Sequence, residues 1–328
     1  MFNFLLRRLL TLVITLWGIT VISFATIHLA PGGPLSPLTE FNPKITPEYR
    51  ERLVKMYELD KPWYVQYWKW LKGIMRLDFG KSFALDHRPV WDKIKERLPV
   101  TLLINSLSLF LILIFSIPLG VFSAVKAGTL LDRVITLFTF IGYAMPSFWL
   151  ALLLMMLFGV KLQILPISGL HSVIGYSEMS FWEKLWDWTK HLICPLLVAT
   201  FGGIAGFSRY IRNSMYEVLR SDYILFARAK GIPERIVIYK HALRNALLPL
   251  ITLLGLSIPG LIGGSVIFET IFGIPGVGQL MWQAVMSRDY PVIMANLFLV
   301  SLLTLFGNFL ADLGYALADP RIKLSRRK

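Results

Sequence analysis

The chain has 328 residues, of which 55% are hydrophobic and only 16% are charged, and its mean hydropathy is +0.60. A soluble domain has about 25% charged residues, so this composition excludes an ordinary soluble protein and indicates an integral membrane protein. The formal net charge of +14 follows the predicted topology, and no segment predicted to lie inside is long enough to form a basic soluble domain that binds nucleic acid.

Six stretches are long and apolar enough to cross a bilayer, which takes about 20 residues. The first follows Arg7 and Arg8, but it is too long for a signal peptide and no small-residue cleavage site follows it, so we expect it to stay attached. The chain is therefore predicted to be an all-α integral membrane protein with six transmembrane helices. These spans are roughly 9–29, 99–124, 134–160, 192–211, 246–268 and 291–314.

Lysine and arginine in the short loops predict the orientation of the spans. With the N-terminus inside, the inside segments hold 17 of the 34 basic residues. Of the 17 basic residues outside, 13 lie in the long segment 31–98, where charge has little influence on orientation. The remaining short outer loops are poor in basic residues, so both termini are predicted to lie inside.

The segment from residue 31 to residue 98 follows the first span and is predicted to lie on the outer face. Within it, Glu48 to Glu58 and Val65 to Met75 are predicted as short helices. Tryptophan is dense around the second helix, and this side chain favours the level of the lipid headgroups. We therefore expect an amphipathic cap on the outer membrane surface, anchored by Trp63, Trp68 and Trp70.

Gly80-Lys81-Ser82 within this cap ends like the phosphate-binding loop of nucleotide-binding proteins. That loop requires a glycine five residues before its Gly-Lys pair, where this chain has Met75. The match also lies on the outer face, away from ATP. No other stretch offers the motif, so the chain is not expected to be an ATPase.

Two spans contain residues that are unusual inside a membrane. Pro146 lies within the third span beside Ser147 and Phe148, and it marks either a kink in a pathway lining or ordinary helix packing. The last span contains Asn308 and Asp312. An ionised aspartate costs about 2.5–3.5 kcal/mol at the bilayer centre and less near the inner end. Asp312 is either a polar group on a transport pathway or the packing partner of an arginine at the inner face.

The segment 212–245 joins the fourth and fifth spans on the predicted inner face. Tyr223, Phe226, Ala227 and Lys230 have the spacing of one helix face, and Gly231 interrupts the pattern. Proline and glutamate then favour the start of a second short helix that is predicted to run to about Leu243. The segment is therefore predicted to be a bent pair of short helices.

Two interpretations of this segment compete. It is either a basic interfacial loop of the kind common next to membranes, or a projection that a partner protein contacts. Small residues favour the second interpretation because they let another surface approach the backbone closely; they are Ala227, Ala229 and Gly231.

The amino-acid sequence of the segment also favours a projection that a partner protein contacts. Ala-Arg-Ala-Lys-Gly at 227–231 is followed by His241, Leu243-Arg244-Asn245 and Leu248-Pro249. This pattern resembles the cytoplasmic coupling segment of permease subunits in binding-protein-dependent ABC importers, and more narrowly the dipeptide, oligopeptide and nickel branch. One feature departs from the general family pattern: the expected glutamate would fall at Leu225, and Asp222 is the nearest acid.

Further landmarks resemble the first of the two permease subunits in that branch, and the resemblance is nearly continuous from residue 7 to residue 322. They are residues 58–62, 65–67, 78–82, 97–102, 288–291 and 319–322.

The resemblance implies a type I importer permease in the cytoplasmic membrane, multi-pass and surrounded by lipid, with both termini cytoplasmic. It implies a second permease subunit in a heterodimer, two ATP-binding subunits and an external solute-binding protein, and no cofactor, metal or nucleic acid. The expected regions are 1–30 with the first helix, 31–98 outside, and a core 99–328. The expected coupling residues are Asp222, Tyr223, Ala227, Arg228, Ala229, Gly231, Glu234 and His241.

For the intramembrane residues, the resemblance favours a pathway or gate role for Pro146, Ser147 and Phe148, while Asn308 and Asp312 stay further candidates. For Asp312 itself we favour the arginine-packing interpretation, because ATP-driven transport does not need a proton-relay carboxylate. The implied cargo is a di- or oligopeptide, with an oligosaccharide or a nickel complex as the alternatives.

Two other classes of protein fit less well. A secondary transporter often has ionisable groups at mid-membrane and inverted repeats, whereas here Asp312 is the only acid well inside a predicted span and the halves show no repeat. A membrane enzyme needs a cluster of catalytic or metal-binding residues. The five histidines are scattered, with no two within four residues of each other, and Cys194 is the single cysteine.

Overall fold

The computed structural model of the chain describes residues 2–29, 51, 54, 55, 58–84 and 86–318. These residues are helical apart from loops and one antiparallel bridge between Lys81 and Pro89, which confirms the all-α prediction. Most of the helix predicted from Glu48 to Glu58 lies outside the described residues, as does the motif at 319–322. The α-helices are α1 (Phe2–His28), α2 (Trp63–Ile74), α3 (Val90–Val125), α4 (Leu130–Ala144), α5 (Ser147–Leu154), α6 (Phe181–Leu219), α7 (Asp222–Ala229), α8 (Glu234–Ile236), α9 (Leu243–Ala246), α10 (Leu250–Gly263), α11 (Val266–Ile271), α12 (Val277–Met286) and α13 (Tyr290–Ala318).

Five helical stretches among the described residues are long and apolar enough to cross a membrane. A sixth crossing is obtained when α4 is joined to the helix that starts at Ser147, which agrees with the six predicted spans. The third and fourth spans differ in shape and length from the predicted ones. The five continuous stretches are Leu6–His28, Val90–Val125, Phe181–Leu219, Leu250–Ile271 and Tyr290–Gly314.

The third span is broken at Met145 and Pro146, where the axis bends by 97°. Met145 is extended, with φ −79° and ψ 121°, because the proline ring disfavours the helical conformation of the residue before it. The helix restarts at Ser147 and continues as a π-helical segment, Met155–Lys161. The predicted kink at Pro146 is therefore a complete interruption of the helix.

Helix α6 has 39 residues, about twice the length predicted for the fourth span. At about 1.5 Å per residue it extends well beyond a hydrocarbon core of about 30 Å. Its first turn is closed by a capping box, in which the backbone N–H of Ser180 donates to the Glu183 carboxylate over 2.8 Å. At its other end the helix carries the segment 222–245 away from the predicted membrane region.

Contacts group the chain into two compact units. The first unit comprises Met1–Thr101, Ile262–Val266 and Gly276–Phe306, and the second comprises Leu102–Leu261, Ile267–Pro275 and Gly307–Lys328.

In the first unit, α2 is amphipathic, as predicted for the outer cap. Tyr67 and Ile74 are buried, whereas Trp63 and Trp68 are exposed. The Tyr67 hydroxyl lies 3.0 Å from the Thr20 hydroxyl of α1, which ties the cap helix to the first span.

The Gly-Lys-Ser motif of the first unit has a structural role. Ser82 is fully buried, and its hydroxyl donates to the carboxylate of Asp289, which also accepts the backbone N–H of Phe83 over 3.0 Å. The amine of Lys93 donates to the Ser82 hydroxyl over 2.8 Å. Two landmarks that lie 207 residues apart in the chain, Gly-Lys-Ser and Arg-Asp-Tyr-Pro, therefore meet in one buried polar network.

In the second unit, α3, α4 and α6 pack closely because small residues stand where the helices meet. A Cβ added at Gly120 of α3 would lie 2.7 Å from the Cβ of Ile211 in α6. At Gly142 of α4 an added Cβ would lie 3.0 Å from the Cβ of Ala205 in α6. These three helices form the body to which the segment 222–245 is attached.

Candidate functional site

The segment between the fourth and fifth spans folds as two short helical limbs. Helix α7 forms the first limb. The second runs continuously through α8, a π-helical turn (Val237–Ala242) and α9. It ends at Ala246, three residues beyond the predicted end at about Leu243. The bent helix pair predicted from the sequence is thus present, and a π-helical turn of the kind that frequently marks functional sites lies within its second limb.

Gly231 makes the bend between the limbs. Its φ of +73° lies in the left-handed region, which glycine adopts without steric cost. A Cβ built at this position would meet nothing within 4 Å, so the backbone conformation, and not the space available, calls for glycine. Pro233 then stands as the residue that starts the second limb.

Arg228 and Glu234 form a bidentate ion pair across the bend. The Nε atom donates to Oε2 over 3.1 Å, and Nη2 donates to Oε1 over 2.6 Å. The hydrogen bonds from Arg228 lower the pKa of the Glu234 carboxyl below its ordinary value, and the same bonds raise the pKa of Arg228. The pair therefore holds two of the predicted coupling residues in one fixed arrangement.

A second polar link joins the limbs at their other end. The amide of Asn245 donates to the hydroxyl of Tyr223 over 2.8 Å and to the backbone carbonyl of His241 over 3.1 Å. Because one link lies at the bend and the other at the open end, the angle between the limbs is fixed at both positions.

The inner face of the two limbs belongs to a buried hydrophobic cluster. Ile224, Val237 and Ala242 each have no exposed surface, and Ala227 is 8% exposed. They pack together with residues at the ends of α3 and α6, namely Val121, Ala124, Ile211 and Met215. The segment and the ends of these two helices therefore form one packed body.

The outer face is apolar and aromatic, although it faces water on this chain. Its exposed side chains are between 42% and 62% accessible, and they are Tyr223, Leu225, Phe226, Ile236 and Tyr239. Basic residues surround them; the Lys230 amine, for example, lies 4.6 Å from the centre of the Phe226 ring. Exposed apolar surface with a polar rim is typical of a protein interface.

The eight predicted coupling residues fall on both faces. Asp222, Tyr223, Arg228, Ala229, Gly231 and Glu234 are exposed, His241 is half-buried, and Ala227 is buried in the chain's own cluster. The small side chain of Ala227 thus lets the first limb approach its own second limb.

An ion pair at the base of the segment was not predicted from the sequence. Asp132, in the first turn of α4, accepts hydrogen bonds from Nε and Nη2 of Arg212 in α6 over 2.8 and 2.9 Å. The Ser123 hydroxyl and the backbone N–H of Gly128 also donate to this carboxylate, whose side chain is only 6% exposed. The pair joins α3, α4 and α6 next to the hydrophobic cluster. The sequence feature that could have indicated this pair is Asp132 itself, an acid between a short inside turn and an apolar span.

The pathway candidates lie on two helices. Pro146, Ser147 and Phe148 are exposed at the break in the third span, and Phe148 is 49% exposed. Asn308 is exposed and Asp312 is half-buried in α13. Their role in a pathway stays a prediction. Within the described part of the chain, no three histidine, cysteine or carboxylate side chains are grouped as metal ligands.

The five continuous spans, the broken third span and the bent helical projection between the fourth and fifth fit the class predicted from the sequence, a membrane-spanning subunit of an ABC importer. The chain belongs to the family described as binding-protein-dependent transport system inner membrane components, whose model matches residues 116–324. The family model for the N-terminal part of such membrane components matches residues 1–105. The predicted family membership is confirmed, and the chain is a permease subunit and not an ATPase.

Several relatives match over almost the full length of both chains. The oligopeptide transport system permease protein AppB of Bacillus subtilis is 43% identical, over 98% of this chain and 99% of AppB. The dipeptide transport system permease protein DppB of Escherichia coli K12 is 36% identical, over 98% and 99%. The di/tripeptide transport system permease protein DppB of Pseudomonas aeruginosa is 35% identical, over 99% and 100%.

A solved structure supports the fold. The chain is similar to a chain of the MetNI methionine ABC transporter in an inward-facing conformation, with a TM-score of 0.50 and 18% sequence identity. The match covers 67% of this chain and 95% of that one. The predicted ABC importer permease architecture is therefore confirmed at the level of the fold.

Proposed function

We propose that this chain forms one half of the membrane pathway of an ATP-driven importer for di- or oligopeptides. We also propose that the segment 222–245 transmits the movement of an ATP-binding partner to the pathway. The observation that carries the second proposal is the division of the segment into two faces. Its inner face packs against the ends of α3 and α6, whereas its outer face exposes aromatic and aliphatic side chains to water.

This division suits a lever. Coupling between ATP hydrolysis and a pathway requires two states of the permease that the partner stabilises unequally. A partner that grips the outer face moves the inner face with it, because the two limbs are tied by the Arg228–Glu234 and Tyr223–Asn245 links. Helix α6 then moves with the segment, because Ile211 and Met215 of that helix pack in the same hydrophobic cluster as the inner face.

The outer face also suggests how the partner binds. Aromatic side chains with little conformational freedom are favoured at the centre of interfaces. Phe226, which is 62% exposed, and Tyr223 are therefore the proposed anchors. The segment 222–245 carries five basic and two acidic residues, so an acidic groove is the complementary partner surface. Ala229 and Gly231 let that surface approach the backbone at the bend, and Asp222 and His241 are proposed as polar contacts.

The proposed complex contains a second permease subunit as a heterodimer partner, two ATP-binding subunits and an external binding protein, with both termini of this chain in the cytoplasm. Three relatives are named as permeases for oligopeptides, dipeptides and di/tripeptides, which supports a peptide cargo over an oligosaccharide or a nickel complex.

Purification of the tagged chain from its own membrane in mild detergent tests the assembly. We expect a second six-span permease and ATP-hydrolysing subunits in the same fraction. Peptides should compete with uptake of a labelled peptide, whereas oligosaccharides and nickel chelates should not. A chain that repeatedly purifies alone, with no ATPase activity in the fraction, would refute the importer assembly.

The lever is tested at the bend. Gly231→Leu adds a side chain where the partner is proposed to approach, and we expect a loss of uptake while the chain remains inserted. Gly175→Leu is a matched control, because Gly175 has a φ of +75° and its Cβ would also meet nothing within 4 Å. Equal effects of the two changes on uptake would remove the argument for a partner at the bend.

Charge reversal tests the proposed contact at the start of α7. Asp222→Lys is expected to reduce uptake and the association of the ATP-binding subunits. Glu217→Lys is the control, because Glu217 is also an exposed acid but lies on α6, before the two limbs of 222–245 that form the proposed contact surface. Normal uptake by the Asp222 variant would remove this residue from the interface.

A further inference from the structure

A cavity of about 240 Å³ lies between α4 and α6, beside the end of α3. Most of the side chains that line it are polar: four hydroxyls, one amide and the guanidinium groups of Arg209 and Arg212. Ile135 and Phe140 complete the lining. The four hydroxyls already donate to the Asp132 carboxylate or to backbone carbonyls. Hydrocarbon satisfies neither the Arg209 guanidinium nor the Asn213 amide, so their place in a cavity on helices that cross a membrane requires an explanation.

The charge of the cavity is not balanced by its own acids. The charge of Arg212 is neutralised by Asp132, which it holds through two hydrogen bonds. The guanidinium of Arg209 lies 5.0 Å from the centre of the Phe140 ring, and no described carboxylate comes within ion-pair distance of it. The cavity therefore has one net positive charge beside the side-chain amide of Asn213, and this combination suits an anion with several acceptor oxygens.

The surface around the cavity indicates which source of anion reaches it. Large apolar side chains of α4 and α6 are exposed around the polar lining, including Val134, Leu137, Phe138, Ile141 and Tyr210. Apolar side chains that are exposed on a membrane-spanning helix suit contact with lipid chains. An anion that reaches the cavity along this surface is attached to an apolar body, as a phospholipid headgroup is.

The cavity also lies near the ends of α4 and α6 that are closest to the segment 222–245. Arg212 precedes the end of α6 at Leu219 by seven residues, or about 10 Å. Asp132, which holds Arg212, lies in the first turn of α4. Basic pockets between transmembrane helices on the cytoplasmic side are known to hold anionic lipid headgroups.

We propose that this cavity binds the phosphate group of an anionic phospholipid in the leaflet that faces the segment 222–245. Arg209 pairs with the phosphate, and the side-chain amide of Asn213 donates a hydrogen bond to it. Asp132 positions Arg212 at the wall, and the acyl chains follow the apolar surface of α4 past Phe140. The inference rests on the proposed function only in naming this leaflet cytoplasmic. Because the lipid contacts α6, its binding favours the arrangement of that helix in which the cavity is open.

The test uses the full chain with the subunits that purify with it, in a detergent that has removed native lipid. Binding of phosphatidylglycerol, phosphatidylcholine and inorganic phosphate is measured by native mass spectrometry and by the shift in thermal unfolding temperature. We expect phosphatidylglycerol to bind and stabilise the wild-type protein. Arg209→Gln should weaken that binding about tenfold, as expected for the loss of a charge-assisted hydrogen bond.

Arg133→Gln is the matched control, because it removes the same charge from the adjacent exposed face of α4 and does not line the cavity. Arg209→Lys keeps the charge and should retain the preference for phosphatidylglycerol, which guards against a misfolded glutamine variant. Equal binding by the Arg209 and Arg133 glutamine variants would overturn the site. Equal stabilisation by inorganic phosphate would overturn the lipid as its ligand. If the wild-type complex shows no preference for phosphatidylglycerol over phosphatidylcholine but still hydrolyses ATP, this inference alone would be overturned and the importer assembly would stand.

Discussion

Two neighbouring residues of α7 offer a direct test of the division between the inner and outer faces. Ile224 has no exposed surface and lies in the hydrophobic cluster, whereas Leu225 is 51% exposed. Isoleucine and leucine are isomers, so Ile224→Ala and Leu225→Ala remove the same atoms from opposite faces of one short helix.

The structure gives the size of each effect. Ile224→Ala removes three buried carbon atoms at about 0.8 kcal/mol each. The cavity left behind adds to this loss, so the free energy of unfolding should fall by about 2–5 kcal/mol. Leu225→Ala removes atoms that already contact water, and its effect on the unfolding free energy should stay within about 0.5 kcal/mol.

The assay combines thermal unfolding of the purified complex with uptake and ATP hydrolysis after reconstitution. Ile224→Ala should lower the unfolding temperature and the number of peptides imported per ATP, because the link between the segment and α6 is loosened. Leu225→Ala should leave the unfolding temperature unchanged and weaken the association of the ATP-binding subunits. Similar unfolding temperatures for both variants would refute the assignment of the two faces, as would unchanged association for Leu225→Ala.

Asp132→Asn should lower the free energy of unfolding by about 2 kcal/mol, measured by thermal unfolding. This loss is smaller than for a fully buried ion pair because the Arg212 side chain is 29% exposed. The control variant Arg133→Gln should leave the free energy of unfolding unchanged. Asp289→Asn weakens the charge-assisted bonds from Ser82 and the Phe83 N–H, and the same assay should show a loss of about 1.5–3 kcal/mol. The pKa of Glu234 is lowered from 4.5 in the folded chain. The contribution of the Arg228–Glu234 pair to the free energy of unfolding is therefore fully present above pH 4.5 and is lost as the pH falls through the lower folded pKa. Because the pair is exposed, Glu234→Gln should cost under about 1 kcal/mol at neutral pH. The difference between this variant and wild type should shrink as the pH falls below 4.5.

Hydropathy alone was enough to predict the spans, because about 20 apolar residues in succession have few other uses. The break in the third span was also visible, since Pro146 restricts the residue before it wherever it occurs. Helix ends were less predictable: α6 continues past its apolar stretch as an amphipathic helix, and its polar ends carry no membrane signal.

The polar networks were beyond sequence reasoning because their members are far apart in the chain. Asp132 and Arg212 are separated by 80 residues, and Ser82 and Asp289 by 207. Each residue taken singly resembles an ordinary loop residue. Only the packing of α3, α4 and α6 brings the first pair together, and only the fold of the first unit brings the second pair together.

Helix α7 shows a different limit of periodicity. Both of its faces are apolar, with Ile224 and Ala227 on one side and Tyr223 and Phe226 on the other, so spacing cannot tell which face is buried. The structure assigns Ala227 to the inner face, although its neighbours in the motif point outward.

The proposed coupling role requires the segment to move without unfolding, and the energies of its inner face meet that requirement. A coupling free energy between two sites is typically about 1–3 kcal/mol. Full burial of one branched aliphatic side chain contributes about 1.5–3 kcal/mol, and Ile224 and Val237 are both fully buried. Opening the cluster therefore costs more than a typical coupling energy, before the two polar links are considered. A partner that binds the outer face thus moves the segment and the end of α6 together, because separating them is the more expensive change.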